Sequence, residues 1–155
     1  RRSDLEHVIR AACDLVVAHE RAVFALPEPR VGLAALAGGT QRLTRELGLK
    51  RAMALMLTGR RVPAREGLEL GFVNEVVGDD VLSAARRWAD EILACSPMSV
   101  RATKEAVLRS LSLDPFEAME AEWDFPSMRA MLASADAIEG PEAFAEKRTP
   151  NWRGR

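Results

Sequence analysis

Cysteine and histidine are scarce in this 155-residue chain, two of each, and neither type clusters. Cys13 and Cys95 stand far apart and belong to no CxxC pair, and only His7 and His19 could join them as soft ligands. Neither a metal site nor a disulfide is therefore expected. A surplus of charge is also missing: 22 Lys and Arg against 23 Asp and Glu leave a net charge of −1, which gives no overall field to draw nucleic acid or an anionic membrane surface. No stretch approaches the apolar length of a membrane span. The opening "RRSDLEHVIR" has two arginines but no apolar h-region and no small-residue cleavage site, so a cytoplasmic address is expected. Repeats, low-complexity tracts and Gly/Ser linkers are absent, and with them any mark of an internal boundary. There is no GxGxxG, no P-loop and no serine elbow, which removes the usual phosphate-cradle and Ser-His-Asp readings.

What is present is a composition of 48% hydrophobic and 29% charged residues, that of a soluble globular chain, at a length that suits one domain with its own core. "DLVVA" (14–18) and "AVFAL" (22–26) are short runs suited to strands, and "FVNEVV" (72–77) is a later one. Pro27 and Pro29 are expected to exclude regular pairing or helix around Glu28. From Gly39 the pattern is helical. Thr40 is the expected N-cap of "TQRLTRELG", Gly48 its stop, and "KRAMALMLTG" ends at Gly59. Pro63 suits the first turn of "PAREGLELG", which stops at Gly71.

Further on, Val81, Leu82, Ala85, Trp88, Ala89, Ile92 and Leu93 have the spacing of one buried helix face. A helix opening at Pro97 and another capped by Asp114 with Pro115 at its first position follow. Pro126 is expected to split the latter from "PSMRAMLAS", and a last short helix, "PEAFAEKR", to begin after Gly140. "TPNWRGR" is too polar for a core of its own and is expected to dock on other residues. Two or three short strands among so many helices make too small a sheet, so partner strands from outside this chain are expected.

Three features carry possible chemistry. Glu28 sits alone between two prolines in an apolar run; a carboxylate in a dry pocket can give and take a proton near pH 7, although a solvated loop acid has the same sequence look. "AALAGGT" lets a backbone approach a ligand and offers amides at a helix start, while close helix packing explains it equally. "EKR" (146–148), near Phe144 and Trp152, could clasp a nucleotide-like phosphate and ring or could be a solvated helix end.

Read in order, several stretches resemble the enoyl-CoA hydratase/isomerase family, the crotonase superfamily. They are "ACDLVVAHERAVFALPEPRVGL", "AGGTQRLTRELGLKRAMALMLTGRRVPAREGLELGFVNEVV", "AARRWADEILACSPMSVRATKEAV" and "SADAIEGPEAFAEKRTPNW". The resemblance covers Ala11 to Trp152 and is to the C-terminal part of family members. It implies an α/β parent fold, a crotonase-like ββα spiral, of which this chain is a mostly helical piece: 1–80 a remnant of the spiral core and 81–155 a helical oligomerisation region.

The resemblance also implies a function in fatty acid metabolism. Such enzymes bind acyl-CoA thioesters, hold the enolate-like oxygen with two backbone N–H groups and move protons with one or two glutamates. By position Glu28 is the acidic residue of the Pro-Glu motif, exchanging a proton at the thioester α-carbon and orienting water. Pro27, Ala35, Leu36, Gly38 and Gly39 fall at the substrate pocket, and Phe144 and Lys147 at the adenine-phosphate end of coenzyme A. Coenzyme A enters as part of the substrate, with no separate cofactor or metal, and the implied assembly is a homo-trimer or hexamer.

The chain departs from the family in "DLEHVIRA": it has no glycine where the family has a Gly-rich oxyanion turn, Val8 stands where a second glutamate would fall, and Glu6 is out of register by two. The other oxyanion donor belongs to an N-terminal half not found here. A truncated paralogue, a fragment, or a chain whose residues between Arg10 and Ala11 are missing would each explain this; the last two are favoured, because no turn chemistry joins the two patterns. The competing function is a non-catalytic helical oligomerisation module of the same lineage. Ala35 and Leu36 replace the Pro and Gly of many relatives, which leaves acyl preference unassigned.

Overall fold

The computed structural model describes residues 12–36 and 38–155. The expectations for Glu6, Val8 and the Arg10–Ala11 junction lie outside the described residues. The chain divides into two compact units, Arg1–Arg86 and Arg87–Arg155.

In the first unit, β1 (Val17–His19) pairs in parallel with β4 (Glu75–Val77), Ala18 opposite Val76, and β2 (Val23–Phe24) pairs antiparallel with β3 (Val62–Pro63). Asn74 extends the first ladder: its amide donates to Val16 O and its Oδ1 accepts from Val16 N, both at 2.8 Å. Each sheet among the described residues has two strands, too small to stand alone. β3 was not expected. Pro63 is extended (φ −61°, ψ 155°), so it ends a strand and also caps the following helix, α3 (Ala64–Leu70).

Between the strands lie α1 (Gly39–Leu47) and α2 (Leu49–Thr58), joined by Gly48 alone, which is C-cap of one and N-cap of the other. Leu43 and Leu47 of α1 and Ala52, Leu55 and Met56 of α2 recur at helical spacing and turn inward. They meet Val62, Phe72 and Val73, and the rings of Phe24 and Phe72 pack edge to face at 5.3 Å. Gly67 is required by that packing: a Cβ there would lie 2.9 Å from both Phe72 and Val73.

Two expectations fail in this unit. Pro27 and Pro29 do not exclude helix; Glu28–Val31 forms a 3-10 turn with Pro27 as its N-cap. A proline in the first helical turn forfeits an N–H that would have no partner there anyway. Thr40 is not the cap of α1. Gly38, at φ +90°, starts the helix two residues earlier, in a backbone region that only glycine enters cheaply.

Helix α4 (Val81–Leu93) spans the boundary between the units. Asp80 Oδ1 opens it by accepting from the amides of Leu82 and Ser83. Its expected buried face is not buried: Ala84 is, whereas Leu82, Ile92 and Leu93 are exposed. Helical spacing identifies an apolar stripe, but burial needs a covering element, and the described residues cover it only in part, leaving Val81, Ala85 and Trp88 half-buried and Leu82, Ala89, Ile92 and Leu93 exposed.

The second unit continues with α5 (Pro97–Ser110), α6 (Pro115–Ala121), α7 (Pro126–Leu132) and α8 (Ala135–Glu146). Ser96, Asp114 and Ser134 cap α5, α6 and α8 by accepting from Ser99, Phe116 and Ala137 amides. Pro126 separates α6 from α7 as expected. Helix α8 begins at Ala135, not after Gly140, and runs through Pro141. Its first turn is fixed by the Ser134 cap and by the bonds Asp136 and Glu139 make, so the proline falls inside the helix.

The polar C-terminal segment docks as expected. Asp136, only 4% exposed, accepts from Ser96 Oγ (2.8 Å), Arg153 N (2.8 Å) and Gly154 N (3.2 Å). One turn along α8, Glu139 accepts from both terminal nitrogens of Arg148 (2.6 and 3.1 Å) and from Asn151 N (2.6 Å). The Trp152 indole donates to Ala94 O at 2.9 Å, and its ring lies against Gly140.

Candidate functional site

The site expected in the first unit is built on one turn and one helix start. Glu28 opens the 3-10 turn; Arg30 N donates to Pro27 O (2.9 Å) and Leu33 N to Glu28 O (3.0 Å), which closes the backbone around it. The side chain is partly buried, and its Oε2 is fully sequestered without a hydrogen-bond partner. A buried acceptor with no donor is costly, so natural proteins rarely keep one. Pro27, partly buried, precedes it directly.

Ala35, Leu36, Gly38 and Gly39 follow within eleven residues and differ in exposure. Ala35 is buried, 3.5 Å from where a Gly39 Cβ would stand, whereas Leu36 is 71% exposed. The amides of Gly39 and Thr40 are engaged, donating to Leu36 O and Ala35 O at 3.1 Å. The start of α1 therefore does not offer these two N–H groups to an anion.

A pocket of about 20 Å³ lies nearby in sequence, between β2, α1 and α2, with Phe24, Leu26, Leu43, Leu55, Val62 and Phe72 in its walls. It has room for about one water molecule. Arg60 at its edge forms a two-point pair with Glu66, which holds the Glu66 carboxyl below its usual range. Neither Glu28 nor the other residues expected at a substrate pocket line it.

Phe144 and Lys147 lie in the second unit. Phe144, on α8, is 87% exposed, and Lys147 caps that helix in the left-handed conformation (φ 55°, ψ 38°). Arg148 is committed elsewhere: it bonds Glu139 and Glu146, and these carboxylates raise its pKa further. Of the two cations in the "EKR" cluster, Arg148 is thus held by two carboxylates.

The partners that sequence reading missed are Asp136, Glu139 and Arg30. Glu139 is held down to about 2 by the Arg148 guanidinium and the Asn151 amide. Burial alone would push Asp136 up, but the Arg153 amide, the Ser96 hydroxyl and the Gly154 amide outweigh it and hold the carboxyl below its usual value. Asp136 and Glu139 show the three-residue spacing of one helix face, a signal that was available. Arg30 had none, because its partners are backbone carbonyls far along the chain. Among the described residues no group of three or more His, Cys, Asp or Glu is placed to hold a metal ion, and no helix is long and apolar enough to cross a membrane.

Comparison with known proteins gives this geometry a setting. Carnitinyl-CoA dehydratase of Proteus mirabilis is 37% identical over 153 residues, covering 93% of this chain and 56% of the relative. A probable mitochondrial enoyl-CoA hydratase of Dictyostelium discoideum is 38% identical over 144 residues, covering 92% and 51%. The chain spans about half the length of the curated relatives it matches. Among solved structures, enoyl-CoA hydratase from Bacillus anthracis superposes with a TM-score of 0.87 at 36% identity, over 94% of this chain and 56% of that one. An enoyl-CoA hydratase subunit from Geobacillus kaustophilus gives 0.89 at 37%, over 96% and 58%. The two small sheets and the helices are thus a partial α/β fold of the crotonase type. The shares covered do not bear out the assignment to the C-terminal part of family members. The model of the enoyl-CoA hydratase/isomerase family matches residues 7–155, and with relatives of this identity the chain belongs to that family.

Proposed function

We propose that this chain is the acid–base part of an enzyme that acts on acyl-CoA thioesters, hydrating a 2-enoyl-CoA or running the reverse dehydration. The observation that supports this most is the Glu28 carboxylate: Oε2 is sequestered with no donor, on a turn closed by its own backbone bonds, in a family named for enoyl-CoA hydration. Such an oxygen is suited to a water molecule or to an acidic C–H of a bound thioester. In hydration, Glu28 orients the water, takes one of its protons as the water oxygen joins the β-carbon, and passes that proton to the α-carbon. The α1 amides of Gly39 and Thr40 are occupied, so the thioester oxygen takes its donors from other backbone N–H groups.

Coenzyme A enters as part of the substrate. Pro27, Ala35, Leu36, Gly38 and Gly39 border the acyl end, and Phe144 and Lys147 meet the adenine-phosphate end in a homo-oligomer, a trimer or hexamer, at work in the cytoplasm. The test is Glu28→Gln in the protein that carries this chain, followed by loss of the conjugated-thioester absorbance. Turnover falls about 10²- to 10⁴-fold if Glu28 is the acid–base group, and unchanged turnover rejects that role.

A second reading has its own support. Phe116, Met119, Trp123 and Leu132 are large, apolar and exposed on the second unit, as on an assembly surface. A non-catalytic oligomerisation module would show a defined oligomer by light scattering that fails to bind acyl-CoA, whereas a monomer that binds acyl-CoA rejects the module.

A further inference from the structure

An acid–base carboxylate must be aimed as well as present, and the 3-10 turn that carries Glu28 is only four residues long. Arg30, two residues beyond Glu28, reaches out of that turn. Its Nε donates to the carbonyl oxygens of Thr58 (3.0 Å) and Gly59 (3.1 Å), at the C-terminal end of α2. Carbonyls there lack helical partners and carry the negative end of the helix dipole, so a guanidinium gains both a charge-assisted bond and a favourable field.

The fit is close on both sides of Glu28. Gly59 has φ +55°, and a Cβ on it would lie 3.2 Å from Leu26 O and 3.3 Å from Arg30 Cγ and Nε. The helix end therefore touches the chain just before Glu28, at Leu26, and just after it, at Arg30. Nothing larger than glycine fits between them without a shift.

We infer that Arg30 is a positioning residue, which fastens the turn to the end of α2 and so sets where the Glu28 carboxylate points. The inference rests on the acid–base reading of Glu28. Arg30 acts through the turn, not on the substrate. Loss of the fastener thus lowers the rate of the chemical step while leaving substrate affinity in place.

The experiment compares Arg30→Ala, Arg30→Lys and Glu28→Gln in the protein that carries this chain, with hydration kinetics on a 2-enoyl-CoA and amide exchange read at Leu33, whose N–H donates to Glu28 O. Arg30→Ala is expected to lose about 10- to 100-fold in kcat per folded molecule with KM within about twofold, as a misaimed catalytic group does. Leu33 exchange is expected to quicken by about tenfold, the equivalent of one charge-assisted bond. Arg30→Lys, which keeps a cation at the helix end, is expected to recover part of the kcat. A purely structural role would lower Tm and the folded fraction without this kcat-against-KM split. Unchanged kcat in Arg30→Ala while Glu28→Gln is inactive overturns the inference, as does a change in KM alone or unaltered exchange at Leu33. Full turnover in Glu28→Gln overturns the acid–base reading instead, and the Leu33 exchange then still decides whether Arg30 holds the turn.

Discussion

Glu28 in the first unit and Asp136 in the second each have buried carboxylate oxygen, and their surroundings are opposite. Around Asp136 the chain gathers a hydroxyl and two backbone amides, one from Ser96 and two from the C-terminal segment, so the charge is matched by donors on both oxygens. Around Glu28 Oε2 it gathers none. Donors were available to evolution in both places, since every residue but proline carries an amide. A fully bonded carboxylate can only hold structure, because its lone pairs are spent; an unbonded one is free to meet a proton or a water.

The sharpest way to break this contrast is to remove both charges while keeping their shapes. Asp136→Asn is expected to lower the calorimetric Tm by roughly 5–10 °C, since an amide group turned toward the Arg153 and Gly154 N–H groups cannot accept from all of them. Next in size, Gly67→Ala would press a methyl into Phe72 and Val73 and is expected to cost about 1–3 kcal/mol in denaturant unfolding, whatever happens to catalysis. Smaller again is the effect of acid on the C-terminal segment. Glu139 is held to about 2 against an ordinary 4.5, so the stability it adds is complete above the ordinary value and fades as pH falls toward about 2. An acid titration followed by Trp152 fluorescence should therefore show the segment loosening in that window, and Glu139→Gln should weaken the dependence, leaving the part that Asp136 contributes through the Arg153 and Gly154 amides. The smallest effect belongs to Glu28→Gln, with Tm expected to stay within about 1 °C or rise, because no donor loses its acceptor. A fall of several degrees would mean that Glu28 is as structural as Asp136.

Most elements were legible in the sequence because their signals are local. Gly48, Gly59 and Gly71 stop helices where expected, and Asp114 with Pro115 starts one. The failures share a cause. The stripe of α4 was read as buried because spacing reports which residues share a face, not whether anything covers it. β3 and the early start of α8 were missed because Pro63 and Pro141 were read only as helix signals, while tertiary bonds decide what each does. Glu28 was visible as an oddity between prolines, but its unbonded oxygen and the Arg30 contact depend on residues far along the chain and cannot be read from spacing.

That contact has a mechanical consequence. Arg30 and Gly59 are 29 positions apart, and their bond closes the intervening chain into a ring with the guanidinium as its buckle. Closure entropy grows slowly with loop length, so an extra residue among Leu33 to Leu36, outside both helices, would loosen the ring only slightly. An extra residue at Gly48, the single link between α1 and α2, would displace the start of α2 by one Cα–Cα step, about 3.8 Å, and carry the Thr58 and Gly59 carbonyls out of hydrogen-bond reach. The ring tolerates slack in its loop and none at its joint.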